Sequence, residues 1–176
     1  IDFDGDGVII PTSYDEGVSG AYATDAAGVA ALDAGDLVDP EVAAIAEALE
    51  TRIVELDSTY FGVSEVYLDG RRGQVRTEET NLGNLTADAN LAAGRQADPS
   101  VRVSIKNGGG IRASIGRLET PAGGTEPRLL PPAGNTLTSK PAGGISQLDI
   151  QDSLRFNNGL ALITLSPEQL LAVLEH

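Results

Sequence analysis

Three consecutive glycines constrain the fold of this chain more than any other feature. Residues 101–106, of sequence VRVSIK, are predicted to form a strand, and Asn107-Gly108-Gly109-Gly110-Ile111-Arg112 follows directly. Glycines permit backbone conformations that other residues avoid and let the backbone approach a ligand without a Cβ in the way. The sequence therefore predicts a strand that runs straight into a glycine loop.

The residues around these glycines are suited to holding an anion. The N–H groups of a glycine loop can point at an anion. Arg112 presents a planar fork that can donate two hydrogen bonds to a phosphate or carboxylate, and Asn107 can both donate and accept. The alternative is a tight turn whose glycines only satisfy backbone geometry. A Walker-type phosphate loop is excluded, because no Gly-Lys-Ser/Thr follows.

Charge and composition restrict the possible partners. The 176 residues contain 12 Lys and Arg against 26 Asp and Glu, which gives a formal net charge of −14. Such a field repels polyanions and excludes nucleic-acid binding through a broad basic surface. A few arginines can still hold a small anion, because contact distances are shorter than the screening length of about 10 Å. Cysteine is absent, and no apolar run approaches the roughly 20 residues of a membrane span.

Local patterns predict both helices and strands along the chain, with one long helix that suits a connector between two domains. Residues 1–10 are predicted to form a hairpin, followed by a long irregular loop to residue 38. Four helices are predicted from cap residues and apolar spacing; they begin at Pro40, near Asn81, after Ser146 and after Ser166. Strands are predicted at residues 63–70, around Val75, at 101–106 and, fully buried, at 160–166.

Four segments in order resemble the C-terminal domain of the 5'-nucleotidase family, which also includes UDP-sugar hydrolases and 2',3'-cyclic phosphodiesterases. They are VRTEETNLGNLTADA at 75–89, VSIKNGGGIRASI at 103–115, GGISQLDI at 143–150 and LRFNNGLALITLSPEQLLAVLEH at 154–176. The resemblance covers roughly residues 63–176 and is interrupted by a Pro/Gly-rich stretch at 116–143. We expect that stretch to be a surface loop or insertion.

The resemblance implies an α+β fold, with a mixed sheet flanked by helices and preceded by an interdomain helix. It also implies a fragment truncated at both ends. Residues 1–38 correspond to the tail of an upstream metallophosphatase domain plus a loop, 39–62 to a connector helix, and 63–176 to an incomplete nucleotide-binding domain. In the family the upstream domain binds two divalent metal ions and hydrolyses phosphate esters, and the protein is secreted or periplasmic. We therefore expect nucleotide or nucleoside binding here, without metal ions and without hydrolysis by the fragment alone.

Six residues are expected to bind the substrate, namely Arg76, Asn107, Gly109, Gly110, Arg112 and Phe156. The resemblance implies that Asn107 and Arg112 contact the nucleotide, with Arg112 on the phosphate or ribose side, that Arg76 faces the phosphate, and that Phe156 stacks on the base. The alternatives are a surface arginine at Arg76 and a core aromatic at Phe156. Arg155 stands where the family usually has proline, which predicts a less rigid loop and an extra positive charge near the base. The second stacking aromatic of the family lies beyond residue 176.

A weaker candidate site lies at the N-terminus, where Asp2, Asp4 and Asp6 match the start of a calcium loop. Ser13 occupies the twelfth position, where such loops carry a bidentate glutamate, so a hairpin turn with solvated carboxylates is the alternative. This stretch also supports a rival function, a non-catalytic extracellular binding or adhesion module with an acidic, calcium-binding surface. The single histidine, His176, ends a Leu-Glu-His that is either native or the start of a tag.

Overall fold

The computed structural model describes residues 2–13 and 25–175, which divide into two compact units, Ile1–Glu50 and Thr51–His176. In the first unit, Phe3 and Ile9 form an antiparallel bridge around a turn in which the Gly7 N–H donates to the Asp4 carbonyl at 3.0 Å. The predicted hairpin is therefore confirmed.

The loop predicted up to residue 38 is more regular than expected. Helix α1, Ala26–Ala31, begins after Asp25, whose carboxylate accepts a hydrogen bond from the Gly28 N–H at 3.0 Å. A 3₁₀ turn follows at Gly35–Leu37. Neither element was predicted, because a six-residue helix made mostly of Ala and Gly has little apolar periodicity. The part of the predicted loop at 14–24 lies outside the described residues.

Helix α2, Pro40–Ser58, forms where the Asp-Pro pair predicted a helix start. One carboxylate oxygen of Asp39 accepts hydrogen bonds from the N–H groups of Glu41 at 2.8 Å and Val42 at 3.2 Å, which satisfies donors of the first turn. An apolar stripe along the helix is exposed; it consists of Val42, Ile45, Leu49 and Ile53. No helix in the described ranges is long and apolar enough to cross a membrane.

The second unit contains two small antiparallel sheets. Strand β1, Tyr60–Val63, pairs with β4, Gly144–Ser146, and the register sets Tyr60 opposite Ser146. Strand β2, Arg117–Glu119, pairs with β3, Arg128–Leu130. The Pro/Gly-rich stretch at 116–143 thus contains a short hairpin rather than only a loop.

Four helices complete the second unit and flank these sheets. They are α3, Gln74–Thr77; α4, Asn81–Ala97; α5, Gln147–Ser153; and α6, Pro167–Leu174. Thr80 caps α4, and Ser146 and Ser166 open α5 and α6 with reciprocal capping boxes. The predicted starts of α4, α5 and α6 are confirmed, and so is the α+β class.

The strand predictions were less accurate than the helix predictions. Residues 63–70 contribute only the end of β1 and a single bridge from Leu68 to Ile115, and Val75 lies in α3. Residues 101–106 and 160–166 join no strand ladder among the described residues, although 101–105 and 160–165 line a groove of about 710 Å³ beside α4. Ile163 is 75% exposed, so the fully buried strand predicted there is wrong.

The core of the second unit lies directly beneath the predicted binding residues. Val75 precedes Arg76, Ile111 precedes Arg112, and Leu154 lies two residues before Phe156. All three apolar side chains belong to one packed cluster; its other members are Leu68, Leu82, Ile115 and Ile145. The core therefore anchors the backbone beside three candidate site residues that come from separate parts of the sequence.

Candidate functional site

The glycine loop is a single 3₁₀ turn, Gly108–Gly110, closed by Asn107. The Asn107 side-chain oxygen accepts from the Gly109 N–H at 2.9 Å, and the Asn107 carbonyl accepts from the Gly110 N–H at 2.9 Å. These two N–H groups are satisfied inside the loop. The expectation that they are free to hold an anion is therefore wrong, because Asn107 caps the turn itself.

Close packing against α3 brings Arg76 to this loop. A Cβ on Gly108 would lie 1.9 Å from the Val75 carbonyl oxygen, a distance that no side chain could tolerate. A Cβ on Gly109 would lie 3.7 Å from a terminal nitrogen of Arg76, whereas one on Gly110 would meet nothing within 4 Å. Gly108 is thus the glycine that the packing requires, and it places the Arg76 guanidinium beside the loop.

Arg112 and Phe156 meet on the same side of the loop. The guanidinium carbon of Arg112 lies 5.6 Å from the centre of the Phe156 ring, within the range of a cation–π contact. A terminal nitrogen of Arg112 also makes a long, 3.5 Å hydrogen bond to the Gly109 carbonyl. Phe156 is 52% exposed, so it is not the core aromatic that was the alternative.

The arginines at this site differ in how their charge is balanced. Arg76 and Arg112 form no ion pair with any residue in 2–13 or 25–175. Arg155 is paired with Asp152 at 2.5 Å. The extra positive charge expected from Arg155 is therefore largely offset by its neighbour, while the two candidate anion-binding arginines remain available to a ligand.

A cleft of about 200 Å³ adjoins the loop and involves residues that sequence reasoning did not select. Its walls combine the N-terminal turn of α4 with the Lys106 side chain and two carboxylates; they include Gly108, Glu78, Glu79 and Asn84. Glu79 accepts a hydrogen bond from the Asn84 amide at 2.7 Å. The position of Lys106 at the end of the predicted strand, directly before Asn107, was the available signal.

A buried ion-pair network centred on Lys140 joins three parts of the second unit. The Lys140 ammonium lies 2.5 Å from Asp57 and 3.3 Å from Asp149, and its side chain is only 9% exposed. Asn135 and Thr138 each donate to Asp57 at 2.9 Å. The network therefore connects the end of α2, the Pro/Gly-rich stretch and the capping box of α5.

The network determines the ionisation of its members. Burial alone would raise the pKa of Asp57, but the hydrogen bonds from Lys140 and its neighbours outweigh burial and lower that pKa to about 2. Burial would lower the pKa of Lys140, yet the two carboxylates raise it above its usual value. Both groups are therefore charged at neutral pH.

In the acidic N-terminal segment, the Asp4 carboxylate stabilises the turn. One oxygen of Asp4 accepts hydrogen bonds from the N–H groups of Asp6 at 3.0 Å and Val8 at 2.9 Å, as in an Asx turn. In the described part of the chain, Asp2, Asp4 and Asp6 do not form a group of ligands that could hold a metal ion, and neither do other His, Cys, Asp or Glu residues.

Comparison with known proteins yields two relatives, and no family model matches. The chain is 35% identical over 130 residues to the trifunctional nucleotide phosphoesterase protein YfkN of Bacillus subtilis (strain 168); the match covers 73% of the chain and 8% of the relative. It is 29% identical over 145 residues to Protein 5NUC of Lutzomyia longipalpis, covering 78% of the chain and 22% of that protein. The chain thus spans less than a quarter of either relative. The similarities confirm the resemblance predicted from the four segments.

Proposed function

Because this chain is homologous to a segment of proteins of the 5'-nucleotidase family, we propose that it supplies the nucleotide-binding surface of a nucleotide phosphohydrolase. The Bacillus relative is named as a nucleotide phosphoesterase, which supports a role in nucleotide processing. The residues at its glycine loop support the proposal that this chain binds the nucleotide.

The contact between Arg112 and Phe156, with Arg76 beside the same loop, is the observation that carries the proposal. A nucleotide has an aromatic base and a phosphate, and these three side chains offer an aromatic face and two cations that no described carboxylate neutralises. The chain has a net charge of −14, and these two guanidinium groups without an ion pair lie at the glycine loop, one of them against an exposed aromatic ring. A small anion is attracted there although the chain as a whole repels it.

In this proposal, each residue has a separate task. Arg76 and Arg112 hold the phosphate through charge-assisted hydrogen bonds, in which the planar guanidinium matches the phosphate oxygens. The Asn107 oxygen closes the loop, so its amide NH₂ is the group that reaches the ribose or phosphate. Phe156 stacks on the base, and Gly109 and Gly110 keep the surface of the loop free of side chains.

The described residues do not fit the two divalent metal ions that the resemblance implies, because they form no suitable group of ligands. We therefore derive no hydrolytic step for this chain. We propose that the ions are held by an upstream domain of the same protein, and that the 176 residues bind nucleotide without hydrolysing it. Secretion to the periplasm or cell exterior stays a prediction.

Titration of AMP into the 176-residue chain tests the binding role. We expect Arg112→Ala to weaken binding about 10- to 100-fold, since it removes hydrogen bonds to a charged group worth about 1.5–3 kcal/mol. Phe156→Ala should weaken AMP and adenosine alike, because stacking contributes about 1–3 kcal/mol per base. Both affinities are measured from chemical-shift changes in two-dimensional NMR spectra.

Two matched variants control for general effects of charge and aromatic loss. Arg117→Ala removes an exposed arginine that is paired with Glu119, and Phe61→Ala removes an aromatic side chain that is 67% exposed. Neither should change AMP affinity. If all four variants bind AMP as the wild type does, the site assignment is refuted. Calcium-dependent shifts at Asp2, Asp4 and Asp6 without AMP binding would instead support the rival adhesion or calcium-binding module.

A further inference from the structure

Ser153, the last residue of α5, makes two hydrogen bonds to the segment that follows the glycine loop. Its hydroxyl donates to the Ala113 carbonyl at 2.8 Å, and its own carbonyl accepts from the Arg112 N–H at 2.8 Å. The Ser153 side chain is fully buried, with 0% exposure. One residue of α5 is thus bonded to two consecutive residues that lie 40 or more positions earlier in the sequence.

The two hydrogen bonds of Ser153 lie close in the chain to both Arg112 and Phe156, the side chains that form the cation–π contact. Arg112 is bonded directly to Ser153, and Phe156 lies only three residues beyond it. Leu154, between them, packs against the core cluster that contains Ile111. These hydrogen bonds therefore fix the position of the end of α5 relative to the segment after the glycine loop. That position decides whether the Phe156 ring reaches the Arg112 guanidinium.

Phe156 has few other attachments among the described residues. The hydrogen bonds made by residues 154–158 there are local; the Asn158 N–H donates to the Phe156 carbonyl at 3.0 Å, and Arg155 bonds back to Asp152. The ring itself is half exposed. Its position consequently depends on where α5 ends.

We propose that Ser153 is a positioning residue of the ligand site, which fixes the register in which the Phe156 ring contacts the Arg112 guanidinium. This inference rests on the proposed nucleotide-binding function. A guanidinium has five N–H donors, so one in contact with an aromatic ring can still bind an oxyanion, and a correctly placed ring and a bound phosphate are compatible. Ser153 thereby places the ring that stacks on the base relative to the arginine that binds the phosphate.

The first test needs no ligand. In the folded 176-residue chain, the Arg112 side-chain Nε–H signal should be shifted upfield by the Phe156 ring, and Phe156→Leu defines the spectrum without that shift. Ser153→Ala removes the hydroxyl bond to Ala113, and we expect it to abolish most of the shift. Ser153→Cys keeps the volume and a weak donor, so it should give an intermediate value. If Ser153→Ala does not fold, Ser153→Cys provides the same test.

The second test compares ligands. Ser153→Ala should weaken AMP about five-fold, the factor expected for one net hydrogen bond, while leaving affinity for inorganic phosphate unchanged because both arginines remain. Thr86→Val is the matched control, since it removes another buried hydroxyl, one that donates to the Gly83 carbonyl at 3.0 Å in α4. It should retain both the Nε–H shift and the AMP affinity.

The outcomes separate this inference from the function on which it rests. A folded Ser153→Ala variant that keeps the wild-type Nε–H shift overturns the positioning role, whatever the chain binds. A variant that loses the shift but keeps AMP affinity overturns the coupling to ligand recognition. Failure of the wild-type chain to bind AMP refutes the proposed function and leaves the shift measurement in the free protein as the test of the contact.

Discussion

The ion-pair network around Lys140 makes a stability prediction that can be worked out from the structure. Lys140→Met keeps most of the side-chain volume and removes the charge, so Asp57 and Asp149 lose their shared cation. Both side chains of the Lys140–Asp57 pair are less than 10% exposed. Removing one partner of a buried pair typically costs about 3–5 kcal/mol, because the other charge stays buried without compensation.

We expect a loss near the lower end of that range, about 3 kcal/mol at pH 7. Asp57 retains the hydrogen bonds from Asn135 and Thr138 in the variant, which limits the penalty. An independent figure comes from the lowered pKa of Asp57. A shift from 3.8 to about 2 corresponds to about 2.5 kcal/mol of stability at neutral pH, at roughly 1.4 kcal/mol per pH unit.

The same pKa fixes the direction of the pH dependence. Because the folded-state pKa of Asp57 is lower than its value of 3.8 in the unfolded chain, its contribution is complete above about pH 5 and is lost as the pH falls toward 2. In Lys140→Met the largest opposing interaction is gone, so the pKa of Asp57 rises. The stability of the variant should therefore fall less steeply on acidification, and the difference from wild type should narrow.

Urea unfolding followed by circular dichroism at pH 7, 5, 4 and 3 measures this difference. Arg52→Met is the control, because Arg52 lies on α2 as Asp57 does. The substitution breaks an ion pair with Glu55 in which both side chains are more than half exposed. That control should change the free energy of unfolding by less than about 1 kcal/mol. A Lys140→Met variant within 1 kcal/mol of wild type at pH 7, or one with the wild-type pH dependence, would refute the reasoning.

Two further predictions concern the glycine loop and its arginine. Gly108→Ala places a methyl group 1.9 Å from the Val75 carbonyl position, so α3 must move, and we expect a loss of at least about 2 kcal/mol in stability together with weaker AMP binding; Gly110→Ala, whose Cβ would meet nothing within 4 Å, should be nearly neutral in urea unfolding and should weaken AMP binding only through the methyl group that it adds to the loop surface. Arg112→Lys keeps the charge but loses the planar fork and the stacking face, so its AMP affinity should lie closer to that of Arg112→Ala than to wild type, and wild-type affinity would show that charge alone suffices.

Features encoded within a few residues were predicted well from the sequence. The capping boxes at Ser146 and Ser166 and the Asp39 cap of α2 form as expected, because each depends on a side chain bonding to an N–H two or three residues away. Strands depend on a partner elsewhere in the chain. Residues 101–106 and 160–166 have suitable composition, but no described neighbour pairs with them, and composition alone could not show that.

In the candidate site, too, local motifs were predicted from the sequence and long-range contacts were not. Arg112 and its loop are visible in the sequence as one motif, and Phe156 was selected through a family resemblance. Their contact and the position of Ser153 depend on hydrogen bonds that span 40 or more residues, and the Lys140 bond to Asp57 spans 83. A lysine in a Pro/Gly-rich stretch, or a serine at the end of a short helix, carries no local sign of such a partner. The residues that hold the site in place are therefore the ones that sequence reasoning could not find, although mutating them should alter binding or stability measurably.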